Sequence, residues 1–387
     1  MKFFFLIDAT FSERDFIRFG IDVFVRNNIQ VYLWDFTDLR NVIVPTLGFE
    51  EDFNHKKINR YTFKNFKELN KKIKEVDKAF IIDQRSATYE KHSTCWFQDN
   101  GAIIVKLEQG LLSLSIRSPS IKDNLIILRN NLINSSLKKT ILKVVKYFSR
   151  YFNATKKVSC SNIKVCSGST SKCDDGEFEI RSHAFDYDIF LQLKERRRSD
   201  KSYVLFLDCG MTNHPDYQKL NILPHCSEEV YFPLIKSFFD KVEEITGLPV
   251  VIALHPRIKN TKNLHVKFGN REVISGKTAQ LVKDAKLILN HNSTSINFVA
   301  LWAIPMIIIT TDQLEKSAYR EMESQDQFLK TNRLNINKPY NDMDFFEIAQ
   351  KPLFQYNQYI ESFIKLNDSP SQHSAEILIK GLKKYVQ

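Results

Sequence analysis

Short apolar runs alternate with longer amphipathic stretches along most of the chain. In the first part, four runs have the length and apolar content of buried strands: Phe3 to Ile7, Ile29 to Trp34, Ala79 to Ile82 and Ala102 to Val105. Strands separated by helices are typical of parallel βαβ units, whose loops at the carboxyl ends of the strands hold ligands. The pattern therefore predicts an α/β fold with a parallel sheet.

The segment between the first two runs predicts one helix. From Ser12 to Asn27, apolar residues recur at helical spacing and would share one face: Ile17, Ile21, Phe24 and Val25. Asp8 and Thr10 fall on the loop that precedes this helix. We assign them to the acceptor side of a ligand site, although a role in forming the turn explains them equally well.

The same alternation is clearer in the second half of the chain. Five runs predict strands: Tyr203 to Leu207, Val250 to Leu254, Val273 to Ser275, Leu287 to Leu289 and Met306 to Ile309. A long helix is predicted from about Glu228 to Thr246, where Gly247 and Pro249 end it. After Asp312 the pattern predicts only helices and loops, closing with a packed helix from Ala375 to Val386.

The two alternating parts indicate two domains, which is also the expectation for a chain of 387 residues. A charged run at residues 194–198 predicts an exposed linker between them. We therefore place a first Rossmann-like domain at residues 1–198, a second at 199–365 and a C-terminal helical segment at 366–387. A ligand site in the cleft between the two domains is expected.

Composition narrows the class of protein. The apolar fraction of 43% is ordinary for a globular protein, and no apolar run approaches the ~20 residues that span a bilayer. The N-terminal sequence MKFFFLIDATFSERDF has an apolar run too short for a signal peptide, and Asp8 interrupts it. We therefore expect a cytoplasmic protein.

The six cysteines form no CxxC pair, and no histidine stands at zinc spacing from them. In a reducing compartment they are expected to be free thiols. We predict neither a metal ion nor another cofactor.

The net charge of +11 comes mainly from one segment. Between residues 121 and 157, nine Lys or Arg accompany a single acid, Asp123. Within it, residues 137–152 have apolar positions at helical spacing and lysines on the other face. Such a helix suits peripheral docking on an anionic membrane surface, and an ordinary helix with a solvated charged face explains it equally well. No nucleic-acid-binding motif accompanies it, so nucleic acid is not an expected partner.

Polar residues follow three strands of the second half. Asp208 follows the first, His255 and Arg257 follow the second, and the loop His291 to Ser295 follows a third. Because the carboxyl ends of parallel strands line one edge of a sheet, these residues can converge there. A carboxylate could accept the proton of an acceptor hydroxyl, while the other groups hold a phosphate leaving group without a metal ion.

The hydroxyls of Ser293, Thr294 and Ser295 precede an apolar segment that predicts a helix from Ile296 to Ala303. Unpaired N–H groups at a helix start favour a phosphate, but Ser and Thr are also preferred N-caps. The neighbouring polar strand ends favour the phosphate. We therefore assign these three residues and His291 to nucleotide binding.

A second loop, Gly276-Lys277-Thr278, also follows a predicted strand. It is not a P-loop, because position 271 is Arg where that motif requires Gly. We assign these three residues to nucleotide binding as well.

The order of three elements, Asp208-x-Gly210, His255-Pro256 and Ser293-Thr294, resembles the motif set of bacterial GT-B glycosyltransferases that use CMP-activated sugars. These include sialyltransferases, polysialyltransferases and Kdo transferases of capsule and lipopolysaccharide assembly. The resemblance covers mainly residues 203–311. It implies that Asp208 is the general base and that His255 interacts with the cytidylate phosphate, which the Ser-Thr pair binds. Cys209 stands where these families often have a second acid.

The resemblance implies a GT-B fold and a metal-independent, inverting glycosyltransferase. Its expected partners are a nucleotide-sugar donor, such as a CMP-linked nonulosonate or Kdo, and a hydroxyl of a glycan or glycolipid acceptor. Similar strand-end patterns also occur in teichoic-acid-type polyol-phosphate transferases that use CDP-glycerol or CDP-ribitol. A non-catalytic, membrane-associated scaffold with the same fold is a third hypothesis, and all three stay open at this point.

Overall fold

The computed structural model describes most of the chain, namely residues 1–40, 51–85, 93–110, 161–173, 176–214, 217, 223–258, 264–314, 322, 329–339, 343–349 and 353–387. The basic segment 121–157 lies outside the described residues. Its amphipathic helix and its contact with an anionic membrane therefore stay predictions.

The N-terminal half forms a parallel sheet of seven strands in the spatial order β3-β2-β1-β4-β5-β6-β7. The strands are β1 (Lys2–Ile7), β2 (Gln30–Asp35), β3 (Ile58–Thr62), β4 (Phe80–Asp83), β5 (Ile103–Glu108), β6 (Ile163–Cys166) and β7 (Phe178–Arg181). The four strands predicted in this half are confirmed as β1, β2, β4 and β5. Strands β3, β6 and β7 are not among the predicted ones.

In the described part of this half, five short helices accompany the sheet: α1 (Glu13–Arg18), α2 (Ile21–Arg26), α3 (Thr37–Arg40), α4 (Phe66–Lys72) and α5 (Thr94–Asp99). The single helix predicted over residues 12–27 is wrong, because Gly20 adopts a left-handed φ of 65° and separates α1 from α2. A Cβ at Gly20 would also overlap the Cβ of Ala375. The break turns Ile17 outward, where it is 48% exposed rather than buried with the other apolar positions.

The C-terminal half forms a second parallel sheet of six strands in the order β10-β9-β8-β11-β12-β13. The strands are β8 (Val204–Leu207), β9 (Val250–Ala253), β10 (Val273–Ile274), β11 (Leu287–Asn290), β12 (Met306–Thr310) and β13 (Arg333–Asn335). All five strands predicted in this half are confirmed. The prediction of only helices and loops after Asp312 is wrong, since β13 adds an edge strand beside β12.

The helices of this half are α6 (Phe185–Leu193), α7 (Glu228–Thr246), α8 (Leu264–Lys267), α9 (Thr278–Asp284), α10 (Ile296–Trp302), α11 (Phe345–Ala349), α12 (Leu353–Tyr359) and α13 (Ser374–Val386). Helix α7 has the predicted bounds, and Gly247 ends it with a left-handed φ of 66°. The closing helix predicted over residues 375–386 is confirmed as α13.

The chain crosses between its two halves twice. Helix α6 packs against α9 and α10 beside the second sheet, although it precedes residue 198, where we place the domain boundary. Helix α13 returns to the first sheet, where Ala375, Ile377 and Leu382 share a buried cluster with β1. The run 194–198 is exposed, as expected for a linker. The boundaries of the two domains stay a prediction.

Among the described residues, no helix is both long enough and apolar enough to cross a bilayer. Four cysteines, Cys166, Cys173, Cys209 and Cys226, are free thiols. Cys95 is disulfide-bonded, so the prediction of free thiols is wrong at this position.

Candidate active site

Three adjacent strands of the second sheet end in polar residues. Strand β8 lies between β9 and β11, and Leu207 at its end is in register with Ala253 of β9 and Asn290 of β11. Asp208, His255 and the loop after β11 therefore leave the sheet at one edge. The three strand ends are thus neighbours, whereas the convergence of their side chains on one ligand stays a prediction.

The carboxylate of Asp208 is only 7% exposed and is held by backbone groups. Its Oδ1 accepts the N–H of Gly210 at 3.1 Å, and the backbone N–H of His255 also hydrogen bonds to the carboxylate. Burial raises the pKa of Asp208 to about 6, and these two hydrogen bonds oppose the rise. The carboxylate thus fixes the turn after β8 and is also a proton acceptor suited to neutral pH.

His255 is neutral in this geometry. Burial, followed by the effects of His214, Arg257 and Arg14, lowers the pKa of its imidazole to about 3. Its Nδ1 accepts the backbone N–H of Arg257 at 3.3 Å. In the neutral ring the proton must then sit on Nε2, because only one ring nitrogen can be the acceptor. His255 therefore offers an N–H donor rather than a positive charge.

His214 contacts His255 and was not singled out from the sequence. The two rings lie 4.6 Å apart at an interplanar angle of 67°. His214 follows β8, in the same loop as Asp208, and it also packs edge-on against Tyr217 at 5.9 Å. The loop after β8 thus packs against the His255 ring.

His291 is a structural residue. It is 0% exposed, its Nδ1 lies 2.6 Å from the carbonyl oxygen of Ile309, and its Nε2 lies 2.9 Å from the hydroxyl of Tyr231. A carbonyl only accepts, so Nδ1 carries the proton and Nε2 accepts the Tyr231 O–H. Burial lowers the pKa of His291 to about 4. Because the ring is enclosed with both nitrogens engaged, we remove it from the nucleotide-binding set.

The loop after β11 is ordered by its own side chains. The amide oxygen of Asn290 accepts the N–H of Ser293 at 2.9 Å, and the hydroxyl of Ser293 accepts the N–H of Ser295 at 3.3 Å. Ser293 and Ser295 are partly exposed and Thr294 is exposed. The three hydroxyl residues are therefore held in a defined turn and reach solvent.

Asn297, one residue into α10, ties this loop to its surroundings. Its Nδ2 donates to Asp186 of α6 at 2.7 Å, and its Oδ1 accepts the hydroxyl of Tyr359 at 2.9 Å. Burial raises the pKa of Asp186, while the charge of Arg18 opposes that rise. Hydrogen bonds thereby connect the start of α10 to α6 and α12. The charge of Arg18 on α1 acts on the same Asp186.

The loop Gly276-Lys277-Thr278 lies one strand further out. It follows β10, which pairs with β9, and so leaves the sheet beside the His255 turn. Gly276 has a left-handed φ of 76°, Gly276 and Lys277 are exposed, and Thr278 begins α9. These residues line the same edge of the sheet at its outer end.

Two arginines of α1 approach the site from the first half of the chain. The charge of Arg14 acts on His255, and the charges of Arg14 and Arg257 both act on Arg18. Arg18 is exposed to solvent, yet protein atoms crowd it and this desolvation lowers the pKa of its guanidinium. Its Cζ lies 5.4 Å from the ring centre of Phe185.

Neither arginine was predicted from the sequence as a site residue. Their spacing of four residues on a helix that follows the Asp8–Thr10 loop was the available signal. Of that loop, Asp8 is buried at 2% exposure, whereas Thr10 is partly exposed. Only Thr10 therefore offers surface to an acceptor.

The two parallel-sheet, Rossmann-like units, with ligand-type residues at the strand ends of the second, define the chain as an α/β protein of the GT-B type. No family model matches the chain, and no curated protein matches its sequence. The similarity to known proteins therefore rests on structure.

Two structures of the wall teichoic acid polymerase TagF are similar to this chain. One has 9% sequence identity and a TM-score of 0.53, and another has 10% identity and a TM-score of 0.52. In both cases 100% of this chain and 90% of the other chain are covered. A MurG structure from Acinetobacter baumannii covers 99% of this chain at 11% identity, with a TM-score of 0.44 that is too low to argue from. At these identities the similarity shows the fold alone.

Proposed function

We propose that the chain transfers a sugar from a nucleotide-activated donor to a hydroxyl of a glycan or glycolipid in cell-surface polysaccharide assembly. A CMP-linked nonulosonate or Kdo is the first candidate donor, from the order of the motifs. The observation that carries the proposal is the meeting of Asp208, His255 and the Ser293–Ser295 turn at three adjacent strand ends.

In this proposal the donor phosphate binds between the His255 ring and the Ser293–Ser295 turn. The Nε2–H of the neutral ring donates to a phosphate oxygen, and Arg257, two residues further along the chain, supplies positive charge. Hydrogen bonds and charges that are already in place stabilise a departing nucleotide better than groups that must first reorganise. Phosphate binding is also expected to raise the pKa of His255, because an anion favours the imidazolium form.

Asp208 is proposed as the general base that takes the proton of the acceptor hydroxyl. Its pKa of about 6 leaves the carboxylate mostly ionised at neutral pH and close to the range in which proton transfer is efficient. The hydrogen bonds from Gly210 and His255 would hold the carboxylate in one orientation.

A donor screen tests the proposed function. The purified chain is incubated with CMP-, CDP-, UDP- and GDP-activated compounds, and the released nucleotide is measured with and without glycan acceptors. We expect release of CMP, stimulated by an acceptor. If no compound of the panel is consumed and none raises the melting temperature, a non-catalytic scaffold becomes the better account.

The second candidate is transfer of a polyol phosphate from CDP-glycerol or CDP-ribitol. The two structures described above, with TM-scores of 0.53 and 0.52, belong to a wall teichoic acid polymerase. This supports keeping the candidate, although that similarity extends only to the fold. Both reactions release CMP, so nucleotide release alone does not separate them. The mass gained by the acceptor does, because it equals either a sugar residue or a polyol phosphate.

Arg14→Gln is expected to raise the KM for the donor by about 10-fold or more and to change kcat less. The charge of Arg14 acts on His255, beside which the donor phosphate is proposed to bind. A hydrogen bond from Arg14 to that phosphate would contribute about 1.5–3 kcal/mol, the usual range for a hydrogen bond to a charged group. The matched control is Arg26→Gln on α2, where the arginine side chain is 69% exposed and paired with Asp22. Equal KM values for the two variants would remove Arg14 from the site.

A further inference from the structure

Two thiols and a carboxylate meet in the first half of the chain, apart from the proposed active site. The Sγ atoms of Cys166 and Cys173 lie 3.7 Å apart. One oxygen of Glu179 joins them, and the three atoms lie within 4.8 Å of one another. Cys166 is 0% exposed, Cys173 is partly exposed and Glu179 is exposed. The cluster is thus buried at Cys166 and open to solvent at Glu179.

The pairing of β6 with β7 brings two of these ligands together. Lys164 is in register with Glu179, and Cys166 is in register with Arg181. Side chains two residues apart on a strand point to the same face, so Cys166 and Glu179 share one face of the sheet on neighbouring strands. Cys173 reaches the same face from the loop that follows β6.

The loop that carries Cys173 is held in place independently of the cluster. The N–H groups of Ser169 and Thr170 donate to the carbonyl oxygens of Glu361 and Ser362 at 2.9 and 3.1 Å, and a Cβ at Gly168 would overlap the backbone of Ser362. The position of Cys173 is therefore fixed by backbone contacts. A binding site whose parts are already positioned loses less entropy when a ligand binds.

The separation of the two sulfurs matches a tetrahedral zinc site. With Zn–S bonds of about 2.3 Å, tetrahedral angles place two thiolate sulfurs about 3.8 Å apart. Two thiolates with one carboxylate are ligands that Zn²⁺ accepts, whereas Mg²⁺ and Ca²⁺ prefer oxygen alone. Glu179 is exposed and forms a salt bridge with Arg181, so its side chain can turn toward an ion without disturbing the core.

We propose that Cys166, Cys173 and Glu179 bind one Zn²⁺ ion. The two thiols each lose a proton to solvent as two Zn–S bonds form, the ionised Glu179 adds a Zn–O bond, and water occupies the fourth position. The ion joins β6, β7 and the loop that docks on residues 361–363. It therefore links these two strands to a loop whose backbone hydrogen bonds to Glu361 and Ser362.

Metal analysis of the full-length protein tests this site. The chain is purified under reducing conditions, loaded with Zn²⁺ and freed of excess metal, and its zinc content is measured by mass spectrometry. We expect about one equivalent in the wild type and none in Cys166→Ser or Cys173→Ser, since each thiolate is one of three protein ligands. Glu179→Gln should retain zinc with at least 10-fold weaker affinity. The matched control is Cys226→Ser, because Cys226 is a free cysteine in the hydrophobic core of the second sheet. This variant should retain one equivalent.

Thiol alkylation of the wild type gives a second measurement that needs no variant to fold. Zinc should slow alkylation of Cys173 at least 10-fold and leave that of Cys209 unchanged. A zinc content below 0.1 equivalents in the wild type, or equal protection of all cysteines, would overturn the site. So would a Cys166–Cys173 disulfide that forms in air while added zinc remains unbound, since the pair would then be a redox-active dithiol.

Discussion

Asp208→Asn is expected to lower kcat by about 10²- to 10⁴-fold, the usual contribution of a general base. Asparagine keeps an oxygen that can accept the N–H of Gly210, which now lies 3.1 Å from Oδ1, but its amide cannot take a proton. The turn after β8 should therefore persist, and the melting temperature should stay close to that of the wild type. Rates are measured at saturating donor and acceptor, with thermal unfolding followed in parallel.

The matched control for this variant is Asp240→Asn on α7, whose carboxylate is 60% exposed and paired with Arg271. It should keep the wild-type rate. In the wild type, kcat/KM should fall as the pH drops below about 6, because Asp208 then gains a proton. A near-normal rate for Asp208→Asn would contradict the assignment and leave the carboxylate as a turn residue.

Apart from β6, the sequence predicted the interior strands of both sheets, whereas of the four edge strands it predicted only β10. Strands β8, β9, β11 and β12 are buried throughout, so each reads as a continuous apolar run. The missed strands β3, β7 and β13 lie at the outer positions of the two sheets. Edge strands expose one side, so their sequences INRYT, FEIR and RLN contain too many polar residues to produce such a run.

In the candidate site, the residues that directly follow a strand were predictable from the sequence, and those that come from the other half of the chain were not. Asp208 and His255 were predictable because each follows its own strand directly and parallel strands end at one edge. Arg14 and Arg18 were not, because only the packing of the two halves brings α1 to that edge. The pattern also cannot tell whether a histidine at a strand end faces the cleft or the core, which is why His291 was misassigned.

The Cys166, Cys173 and Glu179 cluster shows the same limit for metal sites. Sequence motifs for zinc rely on close ligand spacing within one segment. Here two ligands come from paired strands and the third from a loop that is anchored by the distant residues Glu361 and Ser362. All three ligands lie within residues 166–179, but their intervals of seven and six residues match no zinc motif, so only the folded structure brings the set to notice.

His291 should make the folded state sensitive to acid. Its pKa is about 4 in the folded protein, against an ordinary value of 6.5, so the unfolded chain binds the proton more readily between these values. The free energy of unfolding should therefore fall as the pH drops through this range, by roughly 2 kcal/mol at pH 5 and about 3 kcal/mol below pH 4. Asp208 titrates in the opposite sense, since its folded pKa is raised to about 6. His255 titrates in the same sense as His291, since burial lowers its pKa to about 3, so the pH profile of the wild type alone mixes the three effects.

His291→Gln isolates the contribution of His291. Glutamine offers one donor for the Ile309 carbonyl and one acceptor for the Tyr231 hydroxyl, the partners that now lie 2.6 and 2.9 Å from the ring, but it does not titrate. Urea unfolding at pH 7.5 and about pH 5 should show a loss of stability that is roughly 2 kcal/mol smaller in this variant than in the wild type. The control His265→Gln alters an exposed histidine on α8 and should keep the wild-type difference. If His291→Gln and the wild type lose the same free energy between the two pH values, His291 already carries its proton in the folded state, and the Tyr231 hydroxyl cannot be its donor.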